Sequence, residues 1–78
     1  METDIIHYIQ TEIHPGADLP LAPADDLLTT GTLGSMDMMR VIQHLETTYA
    51  VKVEPAEMTI DNFMTVSAMA DMVRRLRA

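Results

Sequence analysis

The chain contains no cysteine. That absence excludes a disulfide framework, a thiolate metal site and a cysteine nucleophile, so any thiol chemistry must arrive on an added group. Positive charge is scarce as well: five Lys and Arg stand against twelve Asp and Glu, giving a formal net charge of -7 over 78 residues. Phosphate backbones would be repelled, which excludes a nucleic-acid partner and makes basic protein surfaces the natural counterpart. Long apolar runs are missing too, and the start Met1-Glu2-Thr3-Asp4 is acidic. Neither a signal peptide nor a spanning helix is expected, and the expected location is cytoplasmic, without membrane insertion. A chain this short makes a single domain, residues 1–78. Its core is thin, because only about 60 % of the unfolded surface is buried at this size.

What is present reads as helix. From Thr3 to Ile13 the residues Ile5, Ile6, Ile9 and Ile13 fall on one stripe, with Thr3 as cap and Pro15-Gly16 as stop. A long connection follows, from His14 to Gly34, carrying Pro15, Pro20, Pro23, Gly16 and Gly31. As bare loop it is longer than compact domains tolerate, so Leu19, Leu21, Leu27, Leu28 and Leu33 are expected to pin it to the helices. A second helix spans Ser35 to Tyr49, with Met39, Ile42, Leu45 and Tyr49 inward and Met36, Asp37, Arg40, Gln43, His44 and Thr47 outward or at the boundary. Val51-Lys52-Val53 is an extended piece too brief for a sheet. A short third helix begins at Pro55 and runs through Met58. The last helix has Thr65 as cap and buries Val66, Met69, Ala70, Val73 and Leu76. Arg74, Arg75 and Arg77 lie near its negative end, and Asp71 pairs with Arg75 one turn on. The expected class is all-α, a small monomeric four-helix bundle with a long loop between helices 1 and 2 and a short helix 3.

The segment Leu33-Gly34-Ser35-Met36-Asp37 sets a hydroxyl at the start of the second helix. Free backbone N–H groups and the positive end of the helix dipole favour an anion there, which suits a phosphodiester on Ser35. The same residue also reads as a simple N-cap. The wider string from Asp26 to Tyr49 resembles the acyl carrier and peptidyl carrier protein family. There an acidic residue, Leu-Leu or Leu-Phe, a glycine and Asp-Ser-Leu lead into a helix ending in Leu-Glu and an aromatic. This chain has Asp26-Leu27-Leu28, Gly31, Gly34-Ser35-Met36 and Leu45-Glu46 followed by Tyr49. The resemblance continues through Val51-Lys52-Val53 and through Asn62-Phe63-Met64-Thr65-Val66.

The resemblance implies an acyl-carrier type of bundle and 4'-phosphopantetheine on Ser35, taken from coenzyme A, with an acyl or aminoacyl group held on its terminal thiol as a thioester. It further implies a phosphopantetheinyl transferase, a loading enzyme and a downstream synthase or transferase as partners, with Met36, Asp37, Arg40, Gln43 and Glu57 at the partner surface. Such a chain is a carrier with no catalytic activity of its own. Two residues depart from the family. Gly34 stands where Asp is commonest, and Arg40 stands where fatty-acid carriers have an acid, although Asp37, Glu46, Glu54 and Glu57 keep the face partly negative. With the run from Glu54 to Phe63, which is similar to stand-alone carriers of amino acids and specialised-metabolite units, this points to a specialised-metabolite or aminoacyl-transfer pathway rather than bulk fatty-acid synthesis.

Other chemistry finds little support. His7, His14 and His44 fall on separate segments without the spacing of a helical zinc pair, so no metal is expected. Asp25-Asp26 and Asp61-Asn62 lack the alternating oxygen donors of a calcium loop and suit turns and caps. Ser35, Asp37 and His44 lie along one helix and cannot close into a triad. Among the eight methionines, Met39, Met58, Met69 and Met72 read as core filler. The competing reading is an unmodified helical module that binds proteins through its methionine-rich second helix.

Overall fold

The computed structural model describes residues 1–16 and 20–78. Helix α1 spans Glu2–Tyr8 and continues as a π turn over Ile9–Ile13, closed by the His14 N–H donating to the Ile9 carbonyl at 3.0 Å. Helix α2 covers Ser35–Tyr49, a 3₁₀ turn Pro55–Glu57, α3 Ile60–Phe63 and α4 Val66–Arg77. No strand occurs among the described residues. The all-helical bundle, with a long loop before α2, agrees with the expected class.

Helix α4 is the hub, packing against α1, α2 and α3. Its Val66, Met69, Ala70, Met72 and Val73 are buried, meeting Ile5, Ile9, Val41, Leu45 and Phe63 in one core. Thr65 caps it as expected, its hydroxyl accepting from the Ala68 N–H at 3.0 Å. Leu76 is only partly buried.

Several expectations are corrected. Thr3 is not a cap, since α1 begins at Glu2 and the Ile5 N–H reaches the Met1 carbonyl. Helix 3 is divided: the turn begun at Pro55 ends at Glu57, and Thr59 restarts the helix, its hydroxyl accepting from the Asn62 N–H. Asp71 pairs with Arg74 at 3.2 Å, while Arg75 is taken by Glu57, whose carboxylate reaches it from the 3₁₀ turn. Met39 is 63 % exposed and Met58 44 %, so neither fills the core, whereas Met69 and Met72 do. The inward stripe of α2 is Met38, Val41, Ile42, Leu45 and Tyr49, one residue away from Met39.

The long loop is tied down by backbone as much as by leucines. Leu27 and Leu33 are buried, and Leu21 and Leu28 pack against the core; Leu19 lies outside the described residues. The Leu27 N–H donates to the Met64 carbonyl at 2.8 Å, the Ser67 N–H to Pro23 at 2.9 Å, and the Leu33 N–H to Leu27 at 2.9 Å. Asp26 organises the turn between them, accepting from the N–H groups of Leu28 and Thr29 and from the Thr29 hydroxyl. Those bonds, with the Thr29 hydroxyl foremost, hold its carboxyl below the usual carboxylate range.

Candidate functional site at the start of helix α2

Ser35 is the first residue of α2 and is exposed. Gly34 precedes it in extended conformation and, having no side chain, cannot accept from the first amides. The Asp37 carboxylate turns back and accepts the Gly34 N–H at 3.0 Å, one half of a capping box. The hydroxyl of Ser35 makes no hydrogen bond among the described residues, and no side chain caps the helix. An exposed hydroxyl beside uncapped amides at the positive end of a 15-residue helix is a place where a phosphate is electrostatically welcome.

A groove of about 320 Å³ opens beside it, lined by Leu28, Ser35, Met38, Met39, Ile42, Met58, Thr59, Ile60 and Phe63. Apart from Ser35 and Thr59 this lining is apolar, and none of it is charged. Ile60, Met58, Met38 and Phe63 were not singled out for this site by the sequence; the local signal in that stretch is Thr59, whose hydroxyl accepts the Asn62 N–H and starts α3 beside the groove.

The residues expected at the partner surface divide. Met36, at 83 % exposed, and Gln43 stand free at the surface of α2. Arg40 is exposed but donates to the Glu12 carbonyl at 2.7 Å, closing the end of the π turn. Asp37 is committed to Gly34, and Glu57 to Arg75 with Asn62 alongside. Glu46 accepts the Val53 N–H, and Glu54 lies 3.8 Å from Lys52. Of these acids Glu57 and Glu54 are paired with cations, while Asp37 and Glu46, which accept backbone N–H groups, keep their charge.

His44 sits far from the serine chemistry. It stacks on Tyr8 with ring centroids 4.0 Å apart and lies 3.0 Å from Asp4, which also accepts from the Tyr49 hydroxyl at 2.6 Å. The Tyr49 bond, followed by His44, holds the Asp4 carboxyl below its usual value; burial and Asp4 push the Tyr49 phenol up to about 12. His14 meets the Thr32 carbonyl, and no group of His, Asp or Glu among the described residues has a metal-binding arrangement. No helix among them is long and apolar enough to cross a membrane.

The family of domains described as the phosphopantetheine attachment site matches residues 4–73. The chain belongs to that family. It is a carrier protein whose covalent group is 4'-phosphopantetheine. A solved structure described as "Crystal structure of FAD-dependent dehydrogenase" contains a similar chain, at 28 % identity and a TM-score of 0.83, covering 90 % of this carrier and 99 % of that chain. No curated protein matches the carrier. The start of α2 fits the group on three observations: the exposed hydroxyl, the uncapped amides and the apolar groove alongside. Carriers of this family meet a phosphopantetheinyl transferase and the enzymes that load and unload them.

Proposed function

We propose that Ser35 is the attachment residue, and that the carrier holds an acyl or aminoacyl cargo for transfer between enzymes, in a specialised-metabolite or aminoacyl-transfer pathway rather than in bulk fatty-acid synthesis. The observation that carries the first part is the unengaged, exposed Ser35 hydroxyl at an uncapped helix start. The group supplies a terminal thiol on which the cargo is held as a thioester. The protein presents the hydroxyl, offers amides to the phosphate, and shelters the base of the arm against Met38, Ile42 and Phe63. Ser35 has no hydrogen-bonded base, since His44 is held by Asp4 and Tyr8, so activation of the hydroxyl falls to the transferase and the chain is not itself an enzyme. Residues 1–78 act as one carrier domain, monomeric and cytoplasmic, where coenzyme A is at hand.

Coexpression with a promiscuous phosphopantetheinyl transferase and intact mass measurement tests this. A gain of one phosphopantetheine, abolished in Ser35→Ala, is expected; no gain with several transferases returns the chain to the unmodified binding module. The pathway reading rests on Arg40, which places a cation on α2, and on the neutralised Glu57. Arg40→Glu is expected to change which enzymes bind while leaving the mass gain at Ser35 in place, and equal loss of both overturns it.

The structural relative favours one particular partner. The matched chain there is as short as this one, and this carrier has only three glycines, with no glycine-rich phosphate loop to hold a dinucleotide. A separate FAD-dependent dehydrogenase that oxidises the tethered cargo is the reading that reconciles those facts. Loss of two hydrogens from a loaded carrier on incubation with such an enzyme supports it, and an unchanged mass removes it.

A further inference from the structure

We propose that Met36, Met39 and Met58 form an oxidisable collar around Ser35, and that their conversion to sulfoxides weakens docking of the transferase that acts there; this rests on Ser35 as attachment residue. The three are 83 %, 63 % and 44 % exposed, whereas Met69 and Met72 are at most 1 % exposed. Met39 and Met58 line the groove that includes Ser35, and Met36 is the next residue along α2. Before the arm is attached the chain has no thiol, so these thioethers are its most readily oxidised accessible groups.

The occupant of this face is an enzyme with an apolar docking surface. Any enzyme acting on Ser35 must cover its neighbours, and among the carboxylates there Asp37 is turned back to the Gly34 N–H and Glu57 is paired with Arg75. The exposed thioether and aliphatic surface it covers is Met36, Met39, Met58 and Ile60. Hydrogen peroxide transfers one oxygen to each sulfur, the sulfur is oxidised by two electrons, and the peroxide is reduced to water. Each product carries a strong acceptor dipole into an apolar contact, where an unpaired polar group is costly. Met69 and Met72, shielded in the core, leave the fold intact meanwhile.

The test treats the unmodified chain with dilute hydrogen peroxide, maps sulfoxides by peptide mass, checks helicity by circular dichroism and measures the initial rate of phosphopantetheine gain. Sulfoxides are expected at Met36, Met39 and Met58 before Met69 and Met72, with helicity retained and the rate lowered about tenfold. Methionine sulfoxide reductases should restore the rate, and the triple variant Met36→Leu, Met39→Leu, Met58→Leu should show the same rate with and without peroxide. Oxidation of Met69 and Met72 as fast as of Met36, an undiminished rate in the oxidised chain, or equal loss in the Leu variant overturns the proposal. An untreated chain that gains no mass overturns the attachment reading and this one together, while normal gain before and after oxidation overturns the collar alone.

Discussion

At the C-terminal half of α2, Tyr8 stacks on His44, Asp4 binds both His44 and Tyr49, and Leu45 is fully buried; at the N-terminal half, Ser35 has no side-chain partner and Met36 and Met39 lie open. The two ends are about 13 Å apart along the same helix, nine residues at the usual rise. One end uses its polar side chains to hold α1 to α2; at the other, Asp37 and Arg40 are also engaged within the chain and the Ser35 hydroxyl is the group left open beside exposed thioethers. The clamp and the proposed attachment end thus lie on a single element, and each should respond separately to substitution.

The sharpest break comes from Leu45→Ala, expected to cost about 3 kcal/mol in urea unfolding because it empties a closed part of the core. Loss of that size threatens the whole of so small a fold. Tyr49→Phe should cost about 1 kcal/mol by removing the bond to Asp4. It should also let the Asp4 carboxyl titrate higher by NMR, with the rate of modification unchanged; a parallel fall in that rate would show that the two ends are coupled.

The same clamp contributes at both ends of the pH range, joined at the acid end by Asp26, whose carboxyl is also held low. Asp4 titrates lower when folded, so its contribution is present above its ordinary value of 3.8 and is lost as pH falls through the lowered value. Tyr49 titrates higher when folded, so its contribution is present below 10.0 and is lost as pH rises toward about 12. Unfolding free energy measured against pH should fall at both edges, and Tyr49→Phe should remove the alkaline edge.

Ala50 ends α2 at φ +54°, a left-handed conformation that an L side chain adopts at a cost. Ala50→Gly is expected to stabilise the clamped end by about 0.5 kcal/mol in the same unfolding assay. The smallest effect belongs to the open end, where Met36→Ala should change stability by less than about 0.5 kcal/mol while slowing modification in the mass assay.

Much of this contrast was legible beforehand. Ser35 and Tyr49 bound α2 as the periodicity predicts, and the stripe of α4 follows from Val66, Met69, Ala70 and Val73. The error at Met39 has a clear origin: Met36, Met38, Met39, Val41 and Ile42 offer two apolar frames a residue apart, and only packing against α4 selects the one through Met38 and Val41. The fates of Glu57 and Arg40 were hidden for another reason. Their partners, Arg75 and the Glu12 carbonyl, are distant in sequence, and no local spacing announces them. The His44 clamp was missed likewise, since Asp4 and Tyr8 approach it from α1.

The backbone bonds that stitch the loop give the open end a mechanical constraint. Leu27 hangs from the carbonyl of Met64, directly after α3, and Leu33, immediately before Gly34, hangs in turn from Leu27. A guest that pried α3 away from α2 would tug on the same thread that positions the serine. The groove wall and the residue before Gly34 thus share one line of backbone bonds, so on the proposed reading of Ser35 the cargo pocket and the attachment point rest on a common support.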